Sequence, residues 1–115
     1  MTSTVVAEII NETLRDLSPE QIKSIIKEQL EVKFLPLLQL KMPEKSFVSI
    51  VQGVKYTKIV STSYGSRSVW GFIDLKNGDI LKAASWNRPA KHARGNIFEP
   101  GIVDRVEWTG PRYMR

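Results

Sequence analysis

Residues 82–96 carry Lys82, Arg88, Lys91, His92 and Arg94 and no acid, with Trp86 near the start and Asn96 at the end. That set supplies cations for phosphate, a flat ring for a base and an amide for a base edge. Gly95 would let backbone N–H groups come close to an anion. Together these are the parts of a nucleotide or nucleic-acid site. The plain alternative is a solvated basic loop whose Trp86 plugs the core, the usual fate of an aromatic ring among wet charges. Arg67, Arg105, Arg112 and Arg115 lie outside this stretch. Their guanidinium forks suit phosphate better than lysine does, and solubility is the competing explanation for each.

His92 is the lone histidine. With Ser85 and one of Asp74, Asp79 or Asp104 it would complete a nucleophilic triad on paper, but no nucleophile-elbow sequence surrounds Ser85. Nor do paired carboxylates or metal-ligand spacings accompany it. Cysteine is absent, which excludes a disulfide framework, a thiol nucleophile and a thiolate zinc site. The residue types therefore point to binding without turnover, and no enzyme activity, cofactor or metal is expected.

A second aromatic pair, Trp70 and Phe72, has the i, i+2 spacing that puts both rings on one face of a strand, where they would stack successive bases. The string Ser68-Val-Trp-Gly-Phe-Ile73 resembles the aromatic sheet motif of RNA-recognition domains, except that here the helical segments come first. Packing of both rings beneath those helices is the stronger reading.

These residues need a scaffold, and 115 residues suffice for one compact domain. With 42% hydrophobic and 25% charged residues the balance is that of a soluble globular chain. The net charge of +5 is unevenly placed. Residues 1–50 hold six basic and seven acidic side chains; residues 51–115 hold eleven and five, together with all three tryptophans. The basic, aromatic part attracts phosphates, anionic membranes or acidic partners. No stretch approaches the ~20 apolar residues of a membrane span, and the longest apolar patch, residues 34–40, contains Pro36 and Gln39. No targeting segment is visible, so a cytoplasmic location away from membranes is expected.

The expected fold is α+β: two N-terminal helices packed on an antiparallel sheet of three to five strands with a long basic loop, residues 1–36 helical and residues 46–115 sheet and loop. Val5, Val6, Ile9, Ile10, Leu14 and Leu17 recur at helical spacing. Ser18-Pro19-Glu20-Gln21 then signals a second helix start, with Ile22, Ile25, Ile26 and Leu30 as its apolar stripe and Pro36 as its end or kink. Strands are expected from Ser46 onward, with turns at Tyr64-Gly65-Ser66 and Lys76-Asn77-Gly78. Residues 86–100 read as the loop, because Pro89, Gly95 and Pro100 interrupt any period. Ile102, Val103, Val106 and Trp108 suggest one last strand.

The run from Trp70 to Phe98, centred on GDILKAASWNRPAKHARGNIF, resembles small phage-encoded proteins. The order of helical start, sheet and basic segment is also similar to the phage sponge proteins that counter the Thoeris defence. That resemblance implies a non-catalytic homo-oligomer in the cytoplasm of an infected bacterium. Its pockets between subunits would sequester a cyclic ADP-ribose-type signal or a cyclic oligonucleotide. It further implies that Trp86 stacks on the base, Asn96 bonds polar groups, and Arg94, Arg112 and Arg115 meet phosphates. With Arg67, Arg88, Lys91 and His92 these form the expected ligand-binding set. A single-stranded nucleic-acid binder remains the alternative.

Overall fold

The computed structural model describes residues 17–106. The first expected helix, but for Leu17, and the residues from 107 onward lie outside that range. Among the described residues there is one continuous helical rod, not two helices. It consists of α1 (Pro19–Gln29), a π-helical turn (Leu30–Phe34) and α2 (Leu35–Lys41). The expected N-terminal signal is present. The Gln21 backbone N–H donates to Ser18 Oγ at 3.2 Å, and the Ser18 N–H donates to Gln21 Oε1 at 2.9 Å. This reciprocal box satisfies two donors that the first helical turn would otherwise leave open.

Pro36 does not end the rod. The turn before it widens, and the Leu35 N–H bonds the Leu30 carbonyl five residues back. Pairing therefore restarts just ahead of Pro36, in a first turn, where a missing N–H costs least. The same widening keeps the buried stripe in line. Ile26, Leu30, Phe34 and Leu38 are spaced by four, more than the 3.6 residues of a regular turn, and all four are buried. An extra residue in the π turn absorbs part of that drift.

The rod packs on a five-stranded antiparallel meander in the order β1-β2-β3-β4-β5. The strands are β1 (Ser46–Gln52), β2 (Tyr56–Ser63), β3 (Ser66–Asp74), β4 (Asp79–Ser85) and β5 (Arg88–Asn96). Tyr64 and Gly65 form the β2–β3 turn, with φ of 51° and 81°, the left-handed pair that matches strand twist in a tight hairpin. The Asn77-Gly78 turn closes β3–β4, where the Gly78 N–H donates to the Asp74 carbonyl at 2.8 Å.

The expected long basic loop is instead the β4–β5 hairpin. Ser85 pairs with Arg88 across a two-residue turn, and the chain continues as β5 to Asn96. Pro89 is tolerated because, among the described residues, β5 lies at the sheet edge, where its outward side has no strand to pair with. Nor is there a last strand over residues 102–105, which form a 3₁₀ turn. Lys41 Nζ ties that turn to the end of the rod, donating to the Val103 and Val106 carbonyls at 2.6 Å each.

Trp70 and Phe72 do not share a face. Ile59 pairs with Gly71 and Val60 with Val69, so Trp70 is the additional residue of a β-bulge. A bulge shifts the inside/outside parity by one. Trp70 thus turns under the rod, its ring centre 5.8 Å from that of Phe34 in an edge-to-face contact. It joins Ile59, Ile73, Ile80 and Ile97 in the core. Phe72 lies on the opposite face, edge-on to Tyr56 at 6.2 Å.

Gly78 is a turn position constrained by both backbone and neighbours. Its φ is 84°, and a Cβ there would lie 2.9 Å from Phe98 Cε2 and 3.2 Å from Ile97 Cγ1. Gly78→Ala should cost about 1–2 kcal/mol from the backbone alone, measured by urea unfolding, whereas Gly65→Ala meets no neighbouring atom and should lose only the backbone share.

Candidate functional site

The sheet face away from the helical rod carries the candidate site. On β2, Thr57 and Ile59 are buried toward the rod, so the alternation sends Lys58 to the outer face. Arg67 pairs with Thr62 and has the same parity as Lys58. At the end of β4, Trp86 and Asn87 make the hairpin turn, and that turn folds back over this face. Lys58 Nζ lies 4.7 Å from the Trp86 ring centre and the Arg67 guanidinium carbon 5.7 Å from it. Lys58 Nζ also donates to Asn87 Oδ1 at 2.8 Å. Each cation–π contact is worth about 0.5–1 kcal/mol at such an exposed site. The ring is thus oriented and still 44% exposed. Two cations stand beside a partly free aromatic surface, and the sequence from residue 80 to residue 98 adds no acid.

The remaining expected residues divide along β5. Arg88 is exposed next to the turn. Between the pairs Ala83–Pro89 and Leu81–Ala93, β4 advances two residues while β5 advances four. The surplus bulges outward and presents Lys91 and His92, both exposed. Arg94 is half-buried.

Asn96 faces inward. It is 3% exposed, and its Nδ2 donates to the Asn77 carbonyl at 2.9 Å and to Asp79 Oδ1 at 3.0 Å. Its Oδ1 accepts from the Phe98 N–H at 2.9 Å. Asn96 therefore pins the β3–β4 turn to the end of β5, and its amide is fully engaged there. Gly95 is covered as well: a Cβ there would sit 2.7 Å from Ile102 Cδ1, so its backbone meets the 3₁₀ turn and not an anion. Arg112 and Arg115 lie outside the described residues.

The paper triad does not assemble. Ser85 pairs with Arg88 and Asp79 with Asn96, so each is registered about four residues, or ~13 Å of strand, from His92. No group of three or more His, Asp or Glu suited to a metal ion occurs among the described residues.

Sequence reasoning missed Lys58 and Asn87. A lysine inside a run of β-branched residues was the available signal for Lys58. Its meeting with Trp86 depends on how the hairpin curls, which no local pattern encodes. Two cavities lie elsewhere. One of about 390 Å³ is lined by Pro19, Ile22, Tyr56 and Leu75, among others. The other, of about 580 Å³, lies between the end of the rod and residues 97–104. Among the described residues no helix is long and apolar enough to cross a membrane.

Fold and site together define an α+β domain, a helical rod on an antiparallel meander with an aromatic ring and cations at one hairpin tip. Over residues 2–114 the chain matches the family of unknown function DUF7717, and it belongs to that family. No curated protein and no solved structure matches it.

The two polar-site residues should part company in stability measurements. Asn96→Ala leaves buried hydrogen-bonding groups of the β3–β4 turn and Phe98 unmatched and should cost about 1–3 kcal/mol. Trp86→Ala should cost no more than about 1–2 kcal/mol, the sum of its two cation contacts. Chemical denaturation of both variants reads the difference directly.

Proposed function

We propose that this protein binds single-stranded nucleic acid without turning it over, with a base laid on Trp86 and the flanking phosphates met by Lys58, Arg67 and Arg88. The observation that carries this reading is the oriented, half-open Trp86 ring with two cations 4.7 Å and 5.7 Å from its centre. Aromatic stacking is tolerant of base identity, because every base has a π-face, and cations beside the ring suit a backbone that carries a phosphate at each step. Lys91, pushed outward by the β5 bulge, extends the positive track along the sheet edge.

The reading that arises from the resemblance to phage sponge proteins uses the same residues for a different ligand. There the chain, acting in an infected bacterium, would sequester a cyclic ADP-ribose-type signal or a cyclic oligonucleotide. Trp86 favours it to the extent that one fixed ring suits one base. It requires enclosure, though, and neither of the two cavities described above includes Trp86. A second copy would have to close over the tip. The open platform favours the extended polymer. Asn96, with its amide engaged inside the fold, belongs to neither ligand set, and Arg94, Arg112 and Arg115 are not needed for the platform.

Fluorescence anisotropy with a short labelled single-stranded oligonucleotide tests the proposal. Neutralising three phosphates predicts a slope of log K against log salt near −2, from about −0.7 per phosphate. Trp86→Ala should weaken binding by about fivefold to 150-fold, the ~1–3 kcal/mol of one stacked base. Absent or salt-insensitive binding contradicts the polymer reading. Stoichiometric calorimetric binding of a cyclic nucleotide in its place supports sequestration.

A further inference from the structure

The cavity of about 390 Å³ beside the start of the rod is bordered by three parts of the chain, and each brings one lysine to it. Lys23 comes from α1, Lys55 from the β1–β2 connection and Lys76 from the β3–β4 turn. Asp74 is the one carboxylate among the described lining residues, so positive charge is in excess. Among the described residues none of the three ammonium groups has a hydrogen-bond or ion-pair partner. Like charges brought together in this way repel, and an anion between them relieves the repulsion.

The backbones that carry the lysines are fixed. The Gly53 N–H donates to the Tyr56 carbonyl at 2.9 Å, in a turn so tight that a Cβ on Gly53 would lie 2.5 Å from that carbonyl oxygen. The Leu75 N–H donates to the Lys55 carbonyl at 2.9 Å and ties this connection to the end of β3. Lys76 follows at once, and its backbone N–H donates to Asp74 Oδ1 at 2.8 Å. Asp74 thereby caps its own turn. Lys23 lies just past the capped first turn of α1. Inside this ring of charge the surface is apolar. Leu75 is buried, Ile22 and Tyr56 are half-buried, and Val54 stands at the rim, 80% exposed.

From this arrangement we propose that the cavity binds a small organic anion, an aromatic or similarly apolar body that bears a phosphate or carboxylate head. The body lies against Ile22, Tyr56 and Leu75 and covers Val54. The head meets the three ammonium groups, which as point charges accept it without a fixed fork geometry. Charge and surface together select this class. A neutral apolar ligand leaves the repulsion among the lysines in place, and a bare inorganic anion leaves the apolar floor wet. The volume lies near the small end of the ~300–1,000 Å³ usual for small-molecule sites, which suits one ring system with its head. Trp86, Lys58, Arg67 and Arg88 are absent from the described lining, so this inference stands apart from the nucleic-acid reading.

A ¹H–¹³C methyl spectrum of the full chain, titrated with 1-naphthyl phosphate, reads the site directly, because the ring current of the naphthyl group marks the methyls it covers. The Ile22, Val54 and Leu75 signals should move together and saturate. Inorganic phosphate alone and 2-naphthol alone should each bind at least about tenfold more weakly, having lost the apolar or the charged share. The double substitution Lys55→Gln with Lys76→Gln, at two exposed positions, should leave the thermal melt in place and weaken binding about tenfold, roughly threefold for each exposed charge contact. Methyl signals that stay fixed overturn the proposal, including the case in which another segment of the chain fills the cavity. So does binding indifferent to the double substitution, or 2-naphthol or inorganic phosphate binding as tightly as the ester.

Discussion

The bulge at Trp70 is the constraint on which the rest of this structure depends. By adding one residue to β3 it turns the largest side chain of the sheet under the helical rod, against Phe34. Without it, Trp70 and Phe72 would lie on the same face, and the core beneath the rod would lose its main aromatic contact. The bulge also fixes what is left for the other face. Phe72 and Tyr56 remain there as a smaller apolar layer, and the outward side chains of Lys58 and Arg67 keep the parity that lets them meet Trp86.

The outer face is organised by the β4–β5 tip. Lys58 and Arg67 flank the Trp86 ring and Lys58 holds Asn87, so four residues from three parts of the chain converge. These contacts cost little to build, because each is exposed, and they orient a ring that a ligand would otherwise have to order itself. Pre-orientation of this kind raises affinity by removing an entropic cost of binding. The opposite end of the same hairpin is built for rigidity. There Asn96 and Gly78 lock the β3–β4 turn to β5, so the tip projects from a fixed base.

Much of the scaffold was legible in the sequence. The Ser18–Gln21 box, the Tyr64-Gly65 and Asn77-Gly78 turns and the switch from helical to strand period each act within a few residues, and each is present. The misreadings share one cause: the deciding partner is distant in sequence. Pro36 looked like a helix end or kink, and only the end is excluded, because the widened turn that accommodates it leaves no local signature. Pro89 and Gly95 looked like loop punctuation because what makes them fit, the edge position of Pro89 and the close approach of Ile102 to Gly95, is a property of the assembled fold. The parity of Trp70 depends on which residue of β2 it skips. The site was half legible. The acid-free composition of residues 82–96 drew attention to Trp86 and Arg88, but the role of Lys58 comes from the curl of the hairpin. Asn96, which by type suits a base edge, spends its amide on the fold.

The central claim is that Trp86 is a ligand platform while Trp70 is core. The most direct measurement is the indole N–H region of a ¹H–¹⁵N spectrum recorded during titration with a single-stranded oligonucleotide, with Trp86→Phe used to assign the resonance. The account predicts that the Trp86 signal shifts progressively and saturates while the Trp70 signal stays in place. A Trp86 signal that does not move while binding proceeds would contradict it.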